Sequence, residues 1–180
     1  AEIIAGSIAM GLGGFLAGKT EQEHYASELK REYMEVATVP EKEKDEIKEI
    51  FAEYGLSNTA QTLLADELAK DKDKWVHFMM KYELGLDKPD ANRASKSALT
   101  IGISYIVGGI IPLLPYFFTA TPFEGLKISA MITIVCLFVF GYFKSKVTDQ
   151  PVLQGAIKVT VIGALAAGAA FVVARLIGGG

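Results

Sequence analysis

Residues 19–92 read KTEQEHYASELKREYMEVATVPEKEKDEIKEIFAEYGLSNTAQTLLADELAKDKDKWVHFMMKYELGLDKPDAN. This stretch decides the fold, because it is a hydrated, acid-rich body set between strongly apolar runs. Of the 21 Asp and Glu in the 180 residues, all but Glu2, Glu124 and Asp149 lie between positions 19 and 95. Glu21 to Val36 consists of good helix formers, and no glycine falls between Gly18 and Gly55, so the spacing predicts one helix running out of the first apolar run to about Val36. Pro40 ends it, and VATVP is a turn into a second helix, Glu41 to Tyr54, stopped by Gly55. Ser57 or Asn58 caps a third helix to about Lys70, and Asp71 or Asp73 opens a fourth, about Lys74 to Leu84. Asp87-Lys88-Pro89-Asp90 turns the chain back.

The flanking runs have the length and composition of membrane spans. Residues 1–18 are apolar and small, with Gly14 and Gly18 as a small-xxx-small pair for close helix approach. Three more spans are expected at about 98–120, 123–143 and 151–177, with Pro112 and Pro115 bending or breaking the first of these near its far end. The expected class is therefore all-α: a polytopic transmembrane helix bundle with a cytosolic helical metal-binding insert. Its parts are residues 1–19 as a transmembrane helix, 20–91 as the insert and 92–180 as three transmembrane helices. Lys144 and Lys146 mark the 144–150 loop as cytosolic, and Arg93 and Lys96 place the insert on the same side. Four spans put the N-terminus on the far side, and the chain is expected to be part of a longer protein with one further helix before residue 1.

Composition excludes several functions. An acidic insert does not suit nucleic acid, which wants clustered Lys and Arg. The lone Cys136 allows neither an intrachain disulfide nor a thiolate metal site within one chain. No phosphate-binding glycine motif and no nucleophile elbow is present, so no catalytic residue or organic cofactor is expected and the chain does not read as an enzyme.

Cation binding is the chemistry the insert does suit. Glu28, Glu32 and Glu35 fall at i, i+4, i+7 on one helix face, and Glu43 and Glu46 at i, i+3 on the next. Met79 and Met80 stand four and three residues before Glu83, on an edge of the fourth helix. Two readings stay open on spacing alone. In one, the acids are solvated and paired with Lys42, Lys44 and Lys48, and the methionines are core beside Trp75 and Phe78. In the other, carboxylates and thioethers bind a divalent ion of borderline softness such as Fe²⁺. Glu21-x-x-His24 has the spacing of di-iron carboxylate bundles, but the motif does not recur at His77. Glu2 and Met10, two turns apart, face roughly one side of the first span, where an intramembrane carboxylate points to function.

Taken together, IAMGLGGFLAGKTEQEHYASELKRE, FMMKYELGLDKPD, SALTIGISYIVGGIIPLLPY and the Gly/Ala-rich last span resemble the vacuolar iron transporter family, which includes the yeast-type Ca²⁺-sensitive cross-complementer transporters, and most of all its plant members. The resemblance covers nearly the whole chain. It implies an H⁺-coupled antiporter that moves Fe²⁺, and often Mn²⁺, from the cytosol across the vacuolar membrane, working as a homodimer in the lipid bilayer with a cytosolic metal-binding domain between the second and third of five membrane helices. By position, the family's metal-binding residues fall on Glu32, Glu35, Glu43, Glu46, Glu83, Met79 and Met80, and its path residues on Glu2 and Met10. The family's first helix, with its own path carboxylate, is not in these residues. The preference among Fe²⁺, Mn²⁺, Co²⁺ and Zn²⁺ is not set by the sequence, and a membrane-anchored sensor or buffer is the alternative to a transporter.

Overall fold

The computed structural model describes residues 1–178, and among them all regular structure is helical. In chain order the helices are α1 (Glu2–Thr38), α2 (Pro40–Glu53), α3 (Asn58–Leu68), α4 (Lys72–Tyr82), α5 (Arg93–Leu113), α6 (Pro122–Val147) and α7 (Val152–Ile177), with a 3₁₀ turn, Leu114–Phe117, after α5. Four helical stretches are long and apolar enough to cross a membrane: Glu2–Thr38, Arg93–Phe117, Pro122–Val147 and Val152–Ile177. The protein is thus an all-α, polytopic helical membrane protein. It divides into two compact units, residues 6–102 and residues 1–5 with 103 onward.

In the unit of residues 6–102, α1 is a single helix of 37 residues that passes without a break from the apolar run into the acidic stretch. Past residue 102, and so in the other unit, Pro112 is tolerated inside α5, and the helix gives way to the 3₁₀ turn just before Pro115. Ser7, Gly11, Gly14 and Gly18 recur at helical spacing and are all buried. The first turns of α5 lie against them: a Cβ on Gly11 would stand 3.1 Å from the Ala98 carbonyl oxygen, and one on Gly18 2.7 Å from Ala94 Cα. Backbone meets backbone here, which only small residues permit.

The acidic stretch folds on a core of its own. Val36 of α1, Ile47 of α2, Ala65 of α3 and Trp75, Val76, Met79 and Met80 of α4 form one buried cluster. Phe78 extends it, stacking between Phe51 and Tyr82 with centroids 5.4 and 4.7 Å away. Burying a Val, Ile or Met fully is worth ~1.5–3 kcal/mol each, so this cluster holds four helical segments together. The caps are local. Ser57 Oγ accepts from the Ala60 N–H and Asp71 from the Asp73 and Lys74 N–H groups. Gly55, at φ +79°, closes α2: its N–H donates to the Ala52 carbonyl and the Leu56 N–H to that of Phe51. Only Val39 separates α1 from α2, so the two helices turn sharply on each other.

In the other unit, α6 and α7 form an antiparallel hairpin packed through small residues. A Cβ on Gly141 would come 2.8 Å from Ala156 Cα, and one on Gly163 2.5 Å from a Leu137 methyl. Large apolar side chains such as Phe118, Leu165 and Leu176 face outward at 85%, 68% and 77% exposure, as lipid-facing residues do.

Gly18→Val, with its Cβ forced against the α5 backbone, is expected to lower the thermal unfolding midpoint in detergent by several degrees. Gly13→Ala, where a Cβ meets nothing within 4 Å, is expected to leave it unchanged or raise it. Equal effects would contradict the close α1–α5 seam.

Candidate metal centre

Three of the acids named from the sequence converge. One carboxylate oxygen each from Glu32, Glu43 and Glu83 lies within 4.8 Å of the others. They come from three segments: Glu32 from the buried side of α1, Glu43 from the first turn of α2, and Glu83 from the C-cap of α4. The sharp turn at Val39 swings Glu43 over the face that carries Glu32. The core under α4 brings up Glu83.

Glu32 and Glu43 are each 1% exposed, and they are the unusual members. Both oxygens of Glu32 and Oε2 of Glu43 are buried without a hydrogen-bond partner in the protein. Buried carboxylates are normally paired or hydrogen-bonded, because an uncompensated one costs several kcal/mol. Two like charges 4.8 Å apart also repel by roughly 3.5 kcal/mol at an effective dielectric of about 20. This arrangement calls for protons or a cation. Accordingly, burial first, then the charges of Glu83, Glu43 and Glu35, push the Glu32 carboxyl up to about 7, against the pull of Arg31. Burial, then Glu46, Glu35 and Glu83, push Glu43 up to about 7, against Lys42. Glu83 is raised as well, by burial and then Glu46. As a residue Glu83 is exposed, so it forms the open rim of the site; its carboxyl end, turned to the buried pair, is the part withdrawn from water.

Glu35 and Glu46 stand at the edge, half-buried, and act on the cluster by charge. Lys42 Nζ pairs with Glu46 at 2.6 Å. The other lysines of α2 turn elsewhere, Lys44 to Asp66 at 2.9 Å and Lys48 to Asp45 at 2.8 Å. Pairing with these lysines therefore accounts for Glu46 and leaves Glu32 and Glu43 unexplained. Met79 and Met80 are 0% and 1% exposed within the apolar cluster. Their helix ends at Tyr82, and Glu83 is its C-cap, still in right-handed helical conformation with its N–H donating to the Met79 carbonyl at 3.0 Å.

Neither histidine belongs to the cluster. His24 is 3.9 Å from Glu28 on an exposed face, and His77 Nδ1 lies 2.8 Å from the Asp73 carbonyl. Glu2, in the first turn of α1, accepts from the Tyr105 hydroxyl at 3.5 Å and joins no group of three converging carboxylates among the described residues. Met10 is 52% exposed on α1. Arg31, passed over in the sequence reading, approaches Glu28, Glu32 and Glu35; the signal was its placement three residues after one of these acids and four before another.

Between pH 4.5 and about 7 the folded chain keeps protons on Glu32 and Glu43 that the unfolded chain, at the ordinary 4.5, has released. Unfolding free energy from these groups therefore falls as pH rises through that window. The metal-free protein, held in chelator, is expected to lose thermal stability from pH 5 to pH 8, and Glu32→Gln or Glu43→Gln to flatten that decline. A wild-type midpoint that rises with pH, or the same slope in both variants, would contradict the buried charged pair.

The chain has clear relatives among known proteins. The family model described as the VIT family matches residues 1–175. The chain is 46% identical over 177 residues to vacuolar iron transporter 1 of Arabidopsis thaliana, covering 98% of this chain and 71% of that protein. It is 45% identical over 177 residues to vacuolar iron transporter 1 of Tulipa gesneriana, covering 98% and 72%. Protein CCC1 of Saccharomyces cerevisiae is 37% identical over 187 residues, covering 99% of this chain and 58% of that one. A match over nearly every residue, at this identity, makes the chain a member of the VIT family.

Proposed function

We propose that the protein is a proton-coupled antiporter that moves Fe²⁺, and with it Mn²⁺ and related divalent ions such as Co²⁺ and Zn²⁺, from the cytosol into an acidic compartment. The observation that carries this reading is the pair of buried carboxylates of Glu32 and Glu43, with both oxygens of Glu32 and Oε2 of Glu43 unpartnered, drawn together with Glu83. The relatives' names, vacuolar iron transporters, support iron as the cargo and the vacuolar membrane as the location. No catalytic residue or resident cofactor enters the reading; the metal is cargo.

In this account residues 20–91 form a cytosolic capture domain, while 1–19 and 92–180 lie in the bilayer with spans at about 98–120, 123–143 and 151–177. Glu32, Glu43 and Glu83 hold an incoming ion. Glu35 and Glu46 on the rim raise its local concentration and hold a second one. Met79 and Met80, buried just before Glu83 in sequence, add thioether character that favours a borderline ion over Ca²⁺. Binding displaces the protons that Glu32 and Glu43 carry near neutral pH, so capture weakens as the medium becomes acidic. Glu2 and Met10 then pass the ion through the membrane, and protonation of Glu2 from the acidic side releases it. A homodimer supplies the complete path.

Reconstituted into proteoliposomes with an acidic lumen, the protein is expected to take up Fe²⁺ only while the proton gradient lasts. Glu2→Gln is expected to reduce flux by roughly tenfold or more, as for loss of an intramembrane ion ligand, without changing binding at the Glu32 cluster. Full flux in Glu2→Gln would remove Glu2 from the path. Stoichiometric binding with no flux would instead identify a membrane-anchored buffer or sensor.

A further inference from the structure

The acid cluster comes with a cation of its own. Arg31 follows Glu28 by three residues, immediately precedes Glu32 and stands four residues before Glu35. Its Nη2 pairs closely with Glu28 Oε2, at 2.7 Å, on the half-exposed side of α1. Toward the other two acids it stops short: Nη2 is 3.6 Å from Glu32 Oε1, and Nε is 3.9 Å from Glu35 Oε2. A guanidinium that served as the structural partner of a buried carboxylate would make two short, parallel hydrogen bonds to it, at about 2.7–2.9 Å. Here Glu32 receives none, and both its oxygens stay unpartnered. The Arg31 side chain is 45% exposed, so it borders open solvent on the outer side of the cluster. Despite desolvation, which works the other way, the charges of Glu35, Glu28, Glu32 and Glu83 raise the guanidinium pKa, so Arg31 feels the whole site while touching only its outer edge.

We propose that Arg31 is a built-in competitor for the metal site: between ions its charge, anchored on Glu28 and reaching toward Glu32 and Glu35, partly neutralises the cluster, and an arriving divalent ion drives it off Glu32 and Glu35 and leaves it on Glu28 alone. This rests on the metal-capture reading above. Its consequence is selection by charge. A divalent ion gains twice the attraction to the carboxylates that a monovalent ion does, and so outcompetes the resident single charge. K⁺ carries no more charge than Arg31 and gains nothing by replacing it. The cytosol holds far more K⁺ than free transition metal, and an unshielded acid cluster would gather it. Lys42 is placed differently: its pair with Glu46 is at 2.6 Å and the lysine is 68% exposed, a rim contact largely screened by water and salt.

The test is calorimetric titration of the full chain in detergent with Mn²⁺, at low and high KCl, for wild type, Arg31→Gln, Arg31→Lys and Lys30→Gln. Lys30 is exposed on the same helix and controls for net charge. Arg31→Gln is expected to bind Mn²⁺ roughly tenfold more tightly at low salt, and to lose that gain as K⁺ rises. Arg31→Lys keeps the charge and stays within about twofold of wild type, as does Lys30→Gln, whose charge lies outside the cluster. A wild type that binds no Mn²⁺ defeats the capture reading itself. A wild type that binds, beside a helical Arg31→Gln that binds equally or more weakly, overturns only the role of Arg31. Should Arg31→Gln fail to fold, Arg31→Met is read in the same way. The wild type offers a check without mutation: exchanging K⁺ for bulky N-methylglucamine at constant ionic strength is expected to leave its Mn²⁺ affinity unchanged, and a K⁺-specific weakening overturns the proposal.

Discussion

Two carboxylates buried side by side, with both oxygens of one and one oxygen of the other lacking a hydrogen-bond partner, are a destabilising arrangement, and the acidic body of this protein is built around one. Glu32 and Glu43 are as buried as the residues of the apolar core, yet neither has a cation within hydrogen-bond reach. A protein stabilised only for its own sake would place apolar residues there or solvate the acids. That it does neither is what marks the position as a site. Protons resolve it, and in the proposed reading a divalent cation replaces them, which gives a collector that must also release its cargo an exchangeable site.

The rest of the acidic body supplies what holds this arrangement together. One turn at Val39 sets the α1 and α2 faces against each other, and the cluster of Ile47, Val76, Met79 and Met80 offsets the cost of burying charge. The rim carries graded charge. Arg31 and Lys42 oppose the negative potential, Glu35 and Glu46 extend it, and Glu83 leaves one edge open to water. Further along α1, glycines at 11, 14 and 18 draw the helix onto the start of α5. The helix that holds Glu32 is therefore clamped over much of its length, which limits how far the site can relax when its charge changes.

Much of this was legible in the sequence because it rests on local signals. The apolar runs, the unbroken helix formers from Glu21 to Val36, Pro40, Gly55 and the capping Ser57 and Asp71 each act within a few residues, and the helix ends fall close to where those residues put them. Spacing also put Glu32 and Glu43 on faces of adjoining helices. It did not say which acids would be buried, since Glu35 and Glu46 have the same periodicity and remain half-exposed. That choice depends on the angle between α1 and α2, which is set by tertiary packing. Glu83 caps α4 in helical conformation, close to the expected end of that helix. Arg31 has a legible placement among Glu28, Glu32 and Glu35, but an arginine among glutamates on a helix usually signals a solvated pair. Only the distances, short to Glu28 and long to Glu32, distinguish it.

The most direct measurement is anaerobic calorimetric titration of the chain with Fe²⁺ at pH 7.5, wild type beside Glu32→Gln/Glu43→Gln. The account predicts saturable binding in the wild type, with proton release that grows as the pH is lowered toward 6.5, and loss of the tightest site in the double variant. Equal binding by both proteins would show that the ions are held by the exposed acids, and would contradict a metal centre built on the buried pair.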